Sequence, residues 1–228
     1  MTKTSNQGGS DMSEGPRGAI LQRDKETYAI VPRTPVGMLN ADVLETMAKV
    51  IRKYDIPVTK ITSGQRIALV GIKEADIESV WEDLKLDVGE ALELCLHYVQ
   101  ACPGTAVCKF GIQDSLGMGT RLEALFQGVE LPAKFKMGIS GCHFCCAESY
   151  LRDFGAFGTK KGWTVIVGGH SGRNPRIGDV MVKDVSDEEL ETIAGKLVEF
   201  YKENGKKKER VSKFIDRMGL DAVKEAVL

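Results

Sequence analysis

A chain of 228 residues, 43% hydrophobic and 28% charged, can bury a full core as one large domain or two small ones. Its net charge of −1 lacks the basic excess of a nucleic-acid binder, and no apolar run approaches the roughly 18 residues of a membrane helix. Residues 1–17 carry no apolar signal-peptide core, so a cytoplasmic location is expected, where clustered cysteines stay reduced and favour metal or catalysis over disulfides.

Residues 1–17, rich in Ser, Gly and charge, read as a disordered tail. Order is expected from Gly18, with a strand over 28–31 and then a Pro/Gly-punctuated loop over 33–37 that carries Arg33. Asn40 reads as the N-cap of an amphipathic helix over 41–54, in which Val43, Met47, Val50 and Ile51 recur at helical spacing. Pro57 resets the chain into strands over 58–62 and 66–72, joined by a turn at Ser63, Gly64 and Gln65. Ile77, Val80, Trp81 and Leu84 mark a second helix. This order predicts a small α+β sandwich over residues 18–88.

Gly89 marks a boundary. Residues 90–100 read as a helix that delivers Cys102 at its end, and residues 114–126 as another, weakened by Gly117 and Gly119. A strand is predicted over 135–140, a short helix over 147–152 and a strand over 163–168. A Gly-rich loop then runs to Arg176, followed by a strand over 179–183. Ser186, with Glu189 at the capping-box position, opens a helix to about Tyr201. From Lys206 the chain reads as polar helix, with Lys206–Lys208 a solvated helix start, and then a last short helix.

The chemistry concentrates between Cys102 and Cys146. Cys102 and Cys108 enclose five residues, and Cys142 and Cys146 enclose three. Zinc ribbons favour short Cys-x-x-Cys knuckles. Iron–sulfur clusters accept wider spacings and small, backbone-rich loops whose N–H groups reach the sulfurs. Spacing alone therefore favours iron–sulfur, with structural zinc and reduced bystander thiols as open alternatives. Cys95, between Leu94 and Leu96, reads as core.

Lys134 and Lys136 lie two apart on a predicted strand and share a face. An isolated pair would be a solvated surface, but just ahead of Cys142 it suits an anion. Arg173 and Arg176, in the Gly-rich loop, suit a polycarboxylate or phosphate held bidentately. Gly117 and Gly119 fall short of a dinucleotide fingerprint and no phosphate-binding loop occurs, so electrons must come from another protein.

These residues resemble the sirohaem-dependent sulfite and nitrite reductases. In that family a Cys-x5-Cys and a Cys-x3-Cys hold a [4Fe–4S] cluster, and the last cysteine bridges to sirohaem iron. The flanks agree at residues 101–104 and 140–142, and residues 108–115 with Gly162 and Trp163 look like the nitrite reductase branch. The resemblance implies a ferredoxin-like α/β half-domain over 18–88, a mixed α+β sirohaem/4Fe–4S domain over 89–203 and a helical extension over 204–228. It implies metal ligation by Cys102, Cys108, Cys142 and Cys146, anion handling by Lys134, Lys136, Arg33 and Arg66, and cofactor binding by Cys146, Gln65, Lys109, His170, Arg173 and Arg176. The implied activity is six-electron reduction of sulfite to sulfide, or of nitrite to ammonia, fed by a ferredoxin-like donor. The alternative is an electron-transfer or cofactor-handling protein without efficient turnover.

Three departures stand out. Gly64 lies where sulfite reductases carry an arginine, and Cys145 offers a competing Cys142-x-x-Cys145 pair. The two-part unit, present twice in the familiar enzymes, occurs once here. A homodimer is therefore expected to supply the second half.

Overall fold

Two apolar patterns along the chain produce two hydrophobic cores. The computed structural model describes residues 15–89 and 93–228. In the first part, α1 (Ala41–Lys53) starts where the Asn40 side chain accepts the Val43 N–H at 2.9 Å. Its apolar stripe packs with α2 (Ile77–Leu84) on one face of a four-stranded sheet. The strands are β1 (Ala19–Leu21), β2 (Thr27–Ile30), β3 (Val58–Ile61) and β4 (Ile67–Lys73), all antiparallel, in the order β1-β2-β4-β3. Ile30, Met47, Val50, Leu69, Ile77 and Val80 fill the core between the layers. The three residues of β1 are too few to give a period, and the sequence reading missed them.

The second part is a five-stranded sheet of β5 (Leu96–Ala101), β6 (Phe135–Ser140), β7 (Phe154–Thr159), β8 (Gly162–Val167) and β9 (Asp179–Val185), ordered as numbered. β5, β6 and β7 run parallel to one another, and β8 and β9 add antiparallel. Helix α3 (Ser115–Phe126) crosses from β5 to β6 and packs on both. Helix α4 (Asp187–Asn204), opened by the Ser186/Glu189 capping box, packs on β8. Helices α5 (Val211–Met218) and α6 (Leu220–Val227) bury Phe214, Ile215, Val223 and Val227 in the same core as Phe135, Phe154, Trp163 and Tyr201. Among the described residues no helix is long and apolar enough to cross a membrane.

The structure differs from the sequence reading in four further places. The helix expected over 90–100 is instead the strand β5; residues 90–92 lie outside the described residues. Every residue of β5 is buried, and its two polar residues, His97 and Gln100, stand three apart, so the run lacks the alternation of a half-buried strand. The helix over 147–152 shrinks to one tight turn, Ser149–Leu151. Lys206–Lys208 lie in the turn before α5, not on a helix. Strand β7 was not foreseen, because its two glycines carry low strand propensity.

The parts are joined by more than a linker. Val36, from the first part, is buried in the second core, and its N–H donates to the Glu123 carboxylate of α3 at 2.9 Å.

Candidate functional site

Both cysteine loops leave the C-terminal ends of adjacent parallel strands. Ala101 of β5 pairs with Ile139 of β6, so the chain emerges side by side at Cys102 and at Gly141-Cys142. That is the end of a parallel sheet at which ligands gather. The loops are stitched together by backbone. Ile112 and Gln113 N–H groups both donate to the Gly141 carbonyl, at 2.8 and 3.0 Å. The fit requires glycine: a Cβ on Gly141 would stand 2.6 Å from the Gly104 Cα, and Gly104 itself holds a left-handed φ of 53°. Phe110 and Phe144, one from each loop, meet edge to face at 5.3 Å.

Four thiols line this junction, with Cys102 and Cys142 buried, Cys108 half-buried and Cys146 exposed. The Cys102 sulfur accepts the Gly141 N–H at 3.0 Å and lies 3.3 Å from the Ser115 hydroxyl, the amide-to-sulfur pattern that stabilises a ligating thiolate. Burial pushes the Cys145 thiol up to about 11, and nearby Cys142, Cys146 and Cys102 add to the rise. Cys145 therefore keeps its proton beside these thiols. Among the described residues no three His, Cys, Asp or Glu side chains close on a point as ligands of a single ion would. A soft all-thiol set spread over two amide-rich loops fits a four-iron cluster, which takes four cysteines.

The segment from Cys146 to Arg152 lies flat on the sheet. Ser149 Oγ is 2.9 Å from Ser140 Oγ and donates to the Ala156 carbonyl at 2.8 Å, and the Ala147 N–H donates to Ser140 Oγ at 3.1 Å. A Cβ on Gly155 of β7 would run into the Ser149 carbonyl, which explains that strand's glycine.

Beside the cysteines is a cationic face centred on Tyr98. Lys136 is the register partner of Tyr98, and its Nζ lies 5.4 Å from the ring centre. Arg66 and Arg152 each stand 5.9 Å from the same ring. Burial lowers the pKa of Lys136 and of Lys134, and Arg210 adds to the lowering at both. A Cβ on Gly64 would meet the Tyr98 ring at 2.6 Å. Tyr98 therefore fills the space beside residue 64.

Asp153, fully buried, takes the Arg210 guanidinium through both oxygens at 3.2 and 2.5 Å and also accepts the Lys136 N–H at 3.0 Å. Tyr98, Gln100, Arg152, Asp153 and Arg210 were not singled out by sequence reasoning. Arg210 and Asp153 are 57 residues apart, and no local pattern announces such a pair.

The remaining predicted residues are spread more widely. Gln65 accepts the Ala101 N–H at 3.1 Å and so caps the strand that delivers Cys102. Arg33 donates to Glu123 at 3.2 Å and lies 3.8 Å from Asp87; with Arg66, His97 and Tyr98 it lines a cavity of about 20 Å³. Lys109 is exposed on the first cysteine loop, 4.8 Å from the Phe110 ring. His170 and Arg176 close the Gly-rich loop by paired backbone bonds of 2.9 and 2.8 Å. The Arg176 guanidinium is engaged by Asp179 and Asp216, whereas Arg173 is exposed.

Residues 94–228 match the nitrite and sulphite reductase 4Fe-4S domain, and residues 20–86 the nitrite/sulfite reductase ferredoxin-like half domain. An assimilatory-type sulfite reductase of Nitratidesulfovibrio vulgaris is 61% identical over 217 residues, which are 95% of this chain and 100% of that protein. The NAD(P)H nitrite reductase of Bacillus subtilis is 41% identical over 209 residues, 92% of this chain but only 26% of that protein. Among solved structures, dissimilatory sulfite reductase I superposes with a TM-score of 0.79 at 16% identity, covering 88% of this chain and 69% of that one. The NirA protein of Mycobacterium tuberculosis gives 0.79 at 19%, covering 88% and 39%. At such identities these two show the fold alone. The two matched domains and the full-length relative establish that the chain belongs to the nitrite and sulphite reductase family.

Proposed function

We propose that this chain reduces sulfite to sulfide by six electrons at a sirohaem coupled to a [4Fe–4S] cluster, and accepts nitrite as a second substrate. The supporting observation is the juxtaposition of an all-cysteine junction with a face where cations outnumber carboxylates. When bound, the two cofactors supply the electron path and the iron that takes the substrate. Cys102, Cys108, Cys142 and Cys146 would hold the cluster, and exposed Cys146 would be the residue shared between the two cofactors.

Lys134, Lys136 and Arg66 bind the substrate anion, and Lys136 has a second role. Its half-buried amine holds its proton less tightly than a surface lysine, so Nζ can hand one to a departing substrate oxygen. Arg33, Gln65, Lys109, His170, Arg173 and Arg176 support the tetrapyrrole and its carboxylates. Exposed Val107, Phe110, Ile112 and Phe144, with Lys109 among them, offer an acidic ferredoxin-like donor a landing surface above the cysteines. The protein works in the cytoplasm as a homodimer that supplies the second copy of the unit.

Anaerobically purified protein is expected to show a reduced-porphyrin Soret band with a cluster shoulder, and to oxidise reduced viologen on addition of sulfite. Cofactor-replete protein that is inert to both sulfite and nitrite would sink the proposal. In Cys146→Ser the electronic coupling between cluster and haem, read by electron paramagnetic resonance, is expected to disappear. An unaltered spectrum would remove Cys146 from the bridging position.

A further inference from the structure

Arg152 is the most deeply buried cation of the Tyr98 group, with a side chain only 2% exposed. Its donors are taken up in a pattern. Nε donates to Gln100 Oε1 at 2.6 Å, and Nη1 donates to the Leu151 carbonyl at 3.1 Å and to Ser171 Oγ at 3.0 Å. Those acceptors are neutral. Nη2 donates to the Glu148 carboxylate, the one counter-charge that the guanidinium touches among the described residues.

The asymmetry of that pair is informative. A guanidinium removed from water must keep an anionic partner. Glu148, however, is 51% exposed, and a half-solvated carboxylate gives up little on returning to water. The Nη2 edge is thus a permanent carboxylate seat with an easily released occupant. It lies on the same ring as Lys136 and Arg66, two residues' reach from Cys146 through Glu148 and next to His170 through Ser171.

We propose that Arg152 binds a carboxylate of the tetrapyrrole, and that Glu148 is an internal place-holder exchanged for that carboxylate. This rests on the sirohaem reading above. The place-holder keeps Arg152 paired during folding, and its release offsets part of the attraction the cofactor feels. Glu148 and the cofactor therefore compete, which fixes the sign of the test.

The test uses full-length protein as isolated, following loss of Soret absorbance after dilution into high-salt buffer. Cluster iron and melting temperature serve as structural readouts. Glu148→Gln is expected to slow tetrapyrrole loss about threefold. Arg152→Gln should speed it about tenfold, with Arg152→Lys between it and wild type. In the Arg152→Gln background, Glu148→Gln should change nothing further.

A purely structural ion pair predicts the opposite sign for Glu148→Gln: lower melting temperature and faster loss. That result, or an unchanged rate, overturns the inference. Should Arg152→Gln fail to fold, Glu148→Gln carries the test alone. Wild type without any tetrapyrrole overturns the sirohaem reading and this inference with it; wild type that holds it, without slower loss in Glu148→Gln, overturns the inference only.

Discussion

His97 and Tyr98 are neighbours in β5, and the cations around them treat the two rings differently. Tyr98 offers its π-face to Lys136, Arg66 and Arg152 and gains from them. His97 must stay neutral beside them. Its Nε2 lies 2.8 Å from the Glu93 carbonyl, and burial, then Lys134, Arg66 and Lys136, depress its pKa from the ordinary 6.5 to about 4. Between those values the unfolded chain binds a proton that the folded chain refuses. Stability present above 6.5 is therefore lost as pH falls toward about 4, and the loss levels off below that. Thermal melts across this interval should show a falling melting temperature that His97→Gln flattens. Equal slopes in the two proteins would place the responsible proton elsewhere. At this scale the four cysteines that meet at the junction of the two loops were legible, because each pair keeps a short spacing along the chain. Tyr98 and Arg152 were not, because strand register brings Tyr98 to Lys136 and the turn ahead of β7 brings Arg152 to the Tyr98 ring.

Helices α1 and α4 were readable as elements because each has an apolar stripe and a side-chain cap at its start. Strands β5 and β7 were not, for different reasons. β5 sets its polar His97 and Gln100 three apart, and β7 has glycines where alternation would be read. Those glycines are dictated by what lies on them. Gly155→Ala would push a methyl into the Ser149 carbonyl and lift the Cys146 segment from the sheet. The expected cost is about 3 kcal/mol, the upper end for overpacking, because backbone cannot rotate away. Calorimetry and iron content should fall together in that variant. Gly195→Ala in α4, where a Cβ meets nothing within 4 Å, is the contrast: it should gain about 0.5–1 kcal/mol and keep its iron.

For the whole molecule, the α+β class and the two-part order could be read from the alternation of strand and helix signals. The closure of one part on the other could not, since it rests on contacts between distant residues, among them Gln65 with Ala101 and those of one buried carboxylate. Glu123, on α3, accepts from Arg33 Nε at 3.2 Å and from the Val36 N–H at 2.9 Å. Val36 needs that hold, because its φ of 46° is a left-handed conformation that a β-branched residue resists. Glu123→Ala is expected to cost about 3 kcal/mol, as when one partner of a buried pair is removed. It should also split a single calorimetric transition into two, with Glu123→Gln intermediate. One unchanged transition would show that the cores are coupled elsewhere.

The same clamp bears on how the chain is made. The partners of Val36 and Arg33 lie 87 and 90 residues downstream. On the ribosome the first sheet and its two helices can close around their own core while Val36 still has no apolar surroundings, because α3 has yet to be translated. Domains that fold during synthesis do so from the N-terminus. Here the early domain emerges with an uncovered valine beside an arginine that still lacks its Glu123 partner, and the interval before α3 emerges is when a nascent chain is most open to a wrong partner.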